Sequence, residues 1–358
     1  MISISKPSIG EEEIEAVTDV LKSGDLAQGK NVEAFEKEFS AYLGAKYSAA
    51  TSSGTSSLQI GIETLGIPEG SEIITTPFTF IATANSIVYN KCRPIFADIN
   101  PNTFNIDPVS IEQKITEKTK AVLIVHLFGQ PCEMGSIMKI CQKNNLLLIE
   151  DCAQSLGAEY SGKKAGSFGE ISTFSFYATK NITTGEGGMI STNKQKIERE
   201  SKIIRNQGQD GQYNHVKIGF NQRMSEIQAA IGRIQLKKLD ILNKKRAENA
   251  RVLTESIEKI PWIEIPYTIK NAKHSWHQYT IKTRENRDRF LSYMAENGIG
   301  AKIYYPTPLN LQPIYRDPKQ SCPISEKISK EVVSLPVHPR LKAEEIDYII
   351  KKIKEFRI

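Results

Sequence analysis

The stretch that decides the fold is ISTFSFYATKNITTGEGGMI, residues 171–190, because it places one lysine between two apolar segments. The segment before Lys180 is predicted to be a buried strand, and a second short strand is predicted after the glycine-rich residues 185–188. A lysine held there is kept from water, and desolvation disfavours its ammonium form. Lys180 is therefore predicted to be a nucleophile that forms a Schiff base with an aldehyde cofactor. The alternative is a surface lysine in a hairpin turn.

The length and composition predict a globular protein with two lobes. A chain of 358 residues exceeds the size at which a single core stops growing. Hydrophobic residues at 39% and charged residues at 25% are ordinary globular values. We assign residues 1–236 to a large cofactor-binding domain and residues 237–358 to a smaller C-terminal domain. The net charge of +6 suits a site that accepts phosphates and does not indicate nucleic-acid binding.

The cysteines and the apolar runs indicate a reduced, soluble environment. The five cysteines are odd in number and form no C-x-x-C pair, so neither a disulfide framework nor a metal site is predicted. No run reaches the roughly 20 apolar residues of a membrane helix. We expect a cytoplasmic protein that does not bind membranes.

Strands and helices alternate through the first half of the chain. The runs AVLIVHLFG (121–129) and NLLLIEDCA (145–153) are apolar without two-residue alternation, which is typical of parallel strands covered on both faces. This order predicts an α/β fold with a mostly parallel sheet flanked by helices. Its active site is expected at the carboxyl ends of the strands.

The second half of the chain is predicted to be a long helix followed by an α+β domain. The helix covers residues 224–253 and is long enough to bridge two lobes. After it, WHQYTIKT (276–283) and KIYYP (302–306) are predicted as strands. Residues 287–300 and 343–356 are predicted as helices.

Several polar residues are expected at the same edge of the sheet as Lys180. Asp151 ends a strand, and a carboxylate beside a pyridine nitrogen keeps that nitrogen protonated, as the electron sink of pyridoxal phosphate requires. Gln154 could reach the phenolic oxygen of such a ring, and Phe80 could stack on its face. The alternatives are a helix cap for Asp151, an exposed helix glutamine for Gln154 and a core residue for Phe80.

A serine- and glycine-rich turn provides a candidate phosphate site. The strand KYSAAT (46–51) leads into SSGTSSL (52–58), which begins a helix, so free backbone N–H groups and a helix dipole face an anion at Ser53–Thr55. Ser175 could add a hydroxyl to the same phosphate. An ordinary N-capped helix is the alternative for the turn, and a small residue inside the sheet is the alternative for Ser175.

Taken together, these segments resemble a known family, the DegT-like nucleotide-sugar aminotransferases, which bind pyridoxal 5′-phosphate in the fold type I architecture. The resemblance covers essentially the whole chain. It rests on SSGTSSL (52–58), PFTFIATAN (77–85), HLFGQP (126–131), EDCAQSLGAEY (150–160), TFSFYATKNITTGEGGM (173–189), GFNQRMSEIQAAIG (219–232) and LPVHP (335–339).

The resemblance implies a role for each candidate residue. Lys180 carries the cofactor, Asp151 pairs with its ring nitrogen, and Gln154 contacts its phenolic oxygen. Phe80 stacks on the ring. The phosphate is held by Gly54, Thr55 and Ser175, and by Asn221 of a neighbouring subunit, which implies a homodimer with shared sites. Arg223 and Tyr305 are candidates for substrate binding.

The reaction implied by the resemblance is a ping-pong amino transfer. L-glutamate is the expected amino donor, and the acceptor is a keto group of a nucleotide-linked sugar, in amino-sugar and polysaccharide biosynthesis. The form KNITTGEGG, residues 180–188, favours a 4-keto over a 3-keto acceptor. The alternative from another class is a non-catalytic sensor or regulatory protein of the same fold that binds the cofactor or a sugar.

Overall fold

The structure is a computed structural model that describes residues 1–357, apart from the side chain of Glu285. Its strands are, in chain order, β1 (Tyr47–Thr51), β2 (Glu72–Thr75), β3 (Arg93–Phe96), β4 (Thr119–Val125), β5 (Leu147–Asp151), β6 (Glu159–Tyr160), β7 (Lys163–Lys164), β8 (Ile171–Ser175), β9 (Gly188–Thr192), β10 (Ala272–Lys273), β11 (Tyr279–Lys282) and β12 (Val332–Leu335).

The helices follow the alternation that the sequence predicts. They are α1 (Glu11–Ser23), α2 (Lys30–Leu43), α3 (Gly54–Thr64), α4 (Ala82–Tyr89), α5 (Pro108–Lys114), α6 (Met134–Lys143), α7 (Gln195–Ile204), α8 (Glu226–Ile257), α9 (Arg287–Glu296), α10 (Pro323–Ile328) and α11 (Ala343–Glu355).

The main sheet has seven strands in the order β1-β9-β8-β5-β4-β2-β3. β9 runs antiparallel to both of its neighbours, β1 and β8, and every other pairing is parallel. The predicted α/β fold with a mostly parallel sheet is confirmed. Since all strands except β9 run the same way, the carboxyl ends of β1, β5 and β8 lie at one edge of the sheet.

The central strands are buried on both faces, which explains their continuous apolar sequence. Along β4, Leu123 and Val125 pack into a core on one face of the sheet, and Val122 and Ile124 pack into a core on the other. Side chains alternate between the faces of a strand, so a strand that is covered twice needs apolar residues at successive positions.

Side-chain caps begin helices α3 and α5. Ser53 accepts a hydrogen bond from the backbone N–H of Ser56 at 3.1 Å and starts α3. The Oδ1 of Asp107 accepts from the backbone N–H of Val109 at 3.2 Å, and Pro108 occupies the first position of α5. These caps satisfy backbone N–H groups that have no partner within the helix.

Helix α8 takes part in two cores. Leu236, Leu239 and Leu242 pack with α2 and the end of the main sheet. Ala250 and Leu253 pack instead in a second core, which β11, β12, α9 and α11 build. The division between residues 236 and 237 falls within this helix, and the two-domain assignment stays a prediction.

Two expected strands of the C-terminal part differ from the structure. KIYYP (302–306) is not a strand, because only Lys302 bridges to Ser334 before the chain leaves the small sheet and carries Tyr305 to the main sheet's edge. The strand predicted at 276–283 begins only at Tyr279. The preceding residues, 275–278, bind the backbone of Phe128 and Gly129 instead.

The five cysteines are all buried and free. Among residues 1–357, no helix combines the length and the apolar character needed to cross a membrane.

Candidate active site

The candidate site lies at the carboxyl edge of the main sheet, in the loop between β8 and β9. The backbone N–H of Lys180 donates to the carbonyl of Tyr177 at 2.9 Å, and a bridge between Tyr177 and Gly185 closes the loop. Gly185 has φ +82°, in the left-handed region that favours glycine. The loop therefore holds Lys180 at a defined position above the sheet.

The side chain of Lys180 is half-buried, and the protein around it removes much of the water from its ammonium group. Burial lowers the pKa of Lys180 from its usual 10.5 to about 8, and the negative charge of Asp151 opposes this shift. Because desolvation is the larger effect, roughly a tenth of the amine is uncharged at pH 7, far more than for a lysine of ordinary pKa. The pKa of Lys180 is shifted in the direction that the sequence predicts, and its role as a nucleophile stays a prediction.

Asp151 is a buried carboxylate fixed on both oxygens. Its Oδ1 accepts from the backbone N–H of Ala153 at 3.0 Å, and its Oδ2 accepts from the hydroxyl of Thr83 at 3.0 Å. Burial raises the pKa of Asp151 above its ordinary value, while these two bonds and the charge of Lys180 oppose the rise. The carboxylate is pre-oriented, and its charge lacks the solvation that water would give it.

The turn after β1 and the end of β8 form a narrow cradle. The backbone of Gly54 approaches Ser175 so closely that a Cβ at position 54 would lie 2.7 Å from the Cβ of Ser175. Gly188 lies closer still to Ser53, since a Cβ there would be 2.3 Å from the Ser53 carbonyl oxygen. Thr55 lies in the first turn of α3. The free N–H groups of this turn and the hydroxyls of Thr55 and Ser175 suit a phosphate.

Gln154 lies in the wall of the site and connects two parts of the chain. Its Oε1 accepts from the backbone N–H of Phe128 at 2.9 Å, so its Nε2 donates, here to the hydroxyl of Tyr305 at 3.0 Å. Gln154 is buried, so the alternative of an exposed glutamine is wrong. Burial raises the pKa of Tyr305 and keeps its phenol neutral.

Phe80 flanks the site and is not part of the core. Its side chain is 58% exposed, and its ring centroid lies 6.4 Å from that of Tyr305. An aromatic face left open beside Tyr305 can cover a planar ring.

Asn221 and Arg223 lie on the surface, where the Nε of Arg223 donates to the Oδ1 of Asn221 at 3.2 Å. Between them, the carbonyl of Gln222 accepts from the backbone N–H of Ser52 at 2.8 Å. This bond anchors the segment and leaves the two side chains exposed. Their contacts with a phosphate or a substrate stay predictions.

Three residues of the site were not expected from the sequence: Thr83, Asn181 and His277. Thr83 lies one helical turn beyond Phe80, within the segment PFTFIATAN, and that spacing was an available signal. Asn181 follows Lys180 directly. His277 bonds Asn181 across 96 positions of sequence, a separation for which spacing gives no signal.

A buried group of His126, Glu150 and Cys152 has the composition of a metal site but not the free donor atoms. The Nδ1 of His126 accepts from the backbone N–H of Cys132, and its Nε2 bonds Glu150 at 3.0 Å. Three backbone N–H groups, those of residues 166, 168 and 169, also donate to Glu150. The cluster therefore anchors the loop before β8 to β5.

Comparison with known proteins assigns the chain and its fold to a family. Residues 7–354 match the sequence profile described as the DegT/DnrJ/EryC1/StrS aminotransferase family. The chain belongs to this family. It is 40% identical over 344 residues to dTDP-3-amino-3,6-dideoxy-alpha-D-galactopyranose transaminase of Aneurinibacillus thermoaerophilus, covering 96% of this chain and 94% of the relative. It is 37% identical over 361 residues to GDP-perosamine synthase of Escherichia coli O157:H7, covering 99% and 98%.

A solved structure extends the match to the cofactor. The PLP form of a putative sugar aminotransferase from Streptococcus pneumoniae superposes with a TM-score of 0.94 at 27% identity, covering 99% of this chain and 97% of that one. Aminotransferases of this family use pyridoxal 5′-phosphate. The cradle beside Gly54, the oriented carboxylate of Asp151 and the dry amine of Lys180 fit its phosphate, ring nitrogen and aldehyde.

The Thr83→Val variant tests how the carboxylate is tuned. The hydroxyl of Thr83 lowers the pKa of Asp151, and a hydrogen bond to a charged group is worth about 1.5–3 kcal/mol. Without this hydrogen bond, we expect the acid limit of cofactor binding, that is, the pH below which the protein loses affinity for pyridoxal phosphate, to rise by about one unit. The reason is that Asp151 must be ionised to pair with a protonated ring. The measurement is the Kd for pyridoxal phosphate against pH.

The matched control is Thr64→Val, which removes a half-buried hydroxyl on α3 that bonds only the carbonyl of Gly61. An acid limit that is the same in the two variants and the wild type would show that Thr83 does not act on Asp151.

Proposed function

We propose that this aminotransferase moves an amino group from L-glutamate to a keto group of a nucleotide-linked sugar. The observation that carries the proposal is the meeting of a partly deprotonated lysine, a fixed carboxylate and an anion cradle at one edge of the sheet. The names of the two relatives specify dTDP- and GDP-linked sugars, which supports a nucleotide sugar as acceptor.

Each contact with the cofactor is proposed for a named atom. Bound pyridoxal phosphate supplies an aldehyde that captures amines and a ring that withdraws electrons from the reacting carbon. The carboxylate of Asp151 holds the proton on the ring nitrogen, and the amide of Gln154 donates to the phenolic oxygen. Phe80 covers the ring, which contributes about 1 kcal/mol beyond burial. Gly54, Thr55 and Ser175 hold the phosphate.

Lys180 is proposed to have two tasks. Its Nζ would hold the cofactor, and once released the same Nζ would accept and return a proton at the reacting carbon of the substrate. A general base works best with a pKa near the working pH, and the pKa of about 8 for Lys180 meets this condition. The same site then serves donor and acceptor in turn, as a ping-pong reaction requires.

For the acceptor, we propose the 4-keto position, on the form of residues 180–188. The name of the Aneurinibacillus relative specifies a 3-amino sugar. The carbon that carries the new amine in the product therefore distinguishes a 4-keto from a 3-keto acceptor. Arg223 and Tyr305 are proposed to contact the sugar nucleotide.

The first half-reaction tests the proposal. With bound pyridoxal phosphate, addition of L-glutamate should convert the visible absorption band to that of the amine form and release 2-oxoglutarate. The Lys180→Ala variant should do neither, because it lacks the amine that holds the cofactor. A wild-type band that no amino acid bleaches would contradict the aminotransferase reaction and favour a sensor of the same fold.

We also propose that the protein acts as a homodimer in the cytoplasm. Residues 206–221 form an antiparallel arm, closed by bridges at both ends, that exposes three apolar side chains. Tyr213 is 82%, Val216 53% and Ile218 86% exposed. Apolar residues gathered on one arm favour contact with a partner, and a second copy would place Asn221, at the end of the arm, near its neighbour's phosphate. Five free thiols suit a reducing compartment.

Mixed dimers test whether the two copies share their sites. If Asn221 serves the partner's cofactor, Lys180→Ala and Asn221→Asp subunits should combine into a dimer with one site that carries neither change. Differently tagged subunits are co-expressed, and the mixed dimer is purified and assayed for amino transfer. Activity well above that of both parent dimers is expected. Activity no higher than the Asn221→Asp parent would place Asn221 outside a shared site.

A further inference from the structure

A chain of buried polar side chains lies directly behind Lys180. Asn181, the next residue, donates through its Nδ2 to the Oδ1 of Asn243 at 2.7 Å and to the carbonyl of Ser275 at 2.9 Å. Its Oδ1 bonds the Nδ1 of His277 at 3.1 Å. All of these side chains are buried. One asparagine therefore joins the lysine loop to α8 and to the segment that leads into β11.

The direction of each hydrogen bond in this chain is determined. The Nδ2 of Asn243 donates to the carbonyl of Leu156 at 3.0 Å, so its Oδ1 must accept from Asn181. The Nδ2 of Asn181 already faces two acceptors, so its Oδ1 must accept from His277. His277 consequently carries its proton on Nδ1. Burial and the nearby charges of Lys180 and Arg246 lower the pKa of His277 and keep the ring neutral.

The segment that presents His277 is itself held from two sides. Arg246, one helical turn after Asn243 on α8, donates to the carbonyls of Trp276 and His277 at 3.4 and 3.3 Å. On the other side, the backbone N–H groups of Ser275 and Gln278 donate to the carbonyls of Gly129 and Phe128. His277 is therefore a fixed donor, and Asn181 is fixed by it in turn.

We propose that Asn181, held by Asn243 and His277, is a positioning residue that keeps the amine of Lys180 in its dry pocket. The inference rests on the proposed role of Lys180. It adds a physical requirement, since the loop that carries the lysine is held not only by its own backbone bonds but also by a polar joint that α8 and the 275–278 segment build. None of these groups needs to touch the cofactor for the joint to act.

Removal of the joint has a predictable consequence for Lys180. A buried donor or acceptor left without its partner costs about 1–3 kcal/mol, which favours local opening that lets water solvate the remaining groups. Water beside Lys180 weakens the desolvation that lowers its pKa. The uncharged fraction of the amine at neutral pH then falls, and the amine captures an aldehyde more slowly.

The experiment measures how fast the full-length protein, freed of cofactor, captures pyridoxal phosphate at each pH. The rate is followed by the visible band and requires no turnover. In the wild type, the capture rate should reach half its maximum near pH 8, the pKa of Lys180. In Asn181→Ala and Asn243→Ala we expect the midpoint to rise by about one pH unit, so that capture at pH 7 slows about tenfold.

Two substitutions at position 277 separate positioning from bulk. An asparagine places its amide N–H close to the Nδ1 of the original ring, whereas a glutamine places it one carbon further out. His277→Asn should therefore keep a midpoint closer to that of the wild type than His277→Gln does. The matched control is Asn90→Ala, since Asn90 also donates to two carbonyls, those of Gln59 and Ser86, at the far end of α4.

The outcomes distinguish this inference from the proposed function. An unchanged midpoint in Asn181→Ala or Asn243→Ala, in protein that unfolds cooperatively, would overturn the inference alone. An equal rise in Asn90→Ala would also overturn it, because the effect would then be general loosening. If the wild type shows no visible band that Lys180→Ala removes, the proposed role of Lys180 fails and the inference fails with it. Should Asn181→Ala not fold, Asn243→Ala and the pair at position 277 carry the test.

Discussion

The cost of keeping the Lys180 amine out of water is the constraint on which the site depends. An ammonium group that has lost much of its water is unfavourable unless it loses its proton or finds a counter-charge, and Asp151 provides partial compensation here. Burial disfavours the charged form of both groups. It therefore lowers the pKa of the lysine and raises the pKa of the aspartate. A protonated pyridine ring and an aldehyde would relieve both penalties at once. The charges of this site are thus arranged to suit the cofactor of its family.

The sheet converts this local requirement into a fold. β5 supplies Asp151 at its last residue, β8 leads through Ser175 to Lys180, and β1 leads into Ser53–Thr55. Parallel strands place these ends at one edge. Because β9 runs antiparallel beside β8, the loop that joins them, which carries Lys180, lies at that same edge. The close approach of Gly54 to Ser175 and of Gly188 to Ser53 brings the turn and the strand ends into one cradle. Glycine at these positions is a packing requirement as well as a sequence motif.

Much of the fold, and the position of the elements that carry the candidate site, could be predicted from local signals. The apolar runs of β4 and β5, the capped helix start at Ser53 and the glycines after Lys180 each act over a few residues. The prediction failed where a distant contact decides the structure. KIYYP has the composition of a strand, but Tyr305 leaves the small sheet to bond Gln154. Residues 276–278 likewise do not pair as a strand, because the backbone N–H of Gln278 bonds the carbonyl of Phe128 instead. The sequence around His277 does not indicate that its partner is Asn181, because the two residues are far apart in the sequence and meet only in the folded chain.

The central claim is that Lys180, in its dry pocket, is the residue that holds the cofactor. It is tested most directly by reducing the protein with borohydride in the presence of pyridoxal phosphate, digesting it and mapping the modified peptide by mass spectrometry. The account predicts the phosphopyridoxyl group on Lys180 alone, within the peptide that continues into Asn181. Modification of a different lysine, or of many lysines to similar extents, would contradict it.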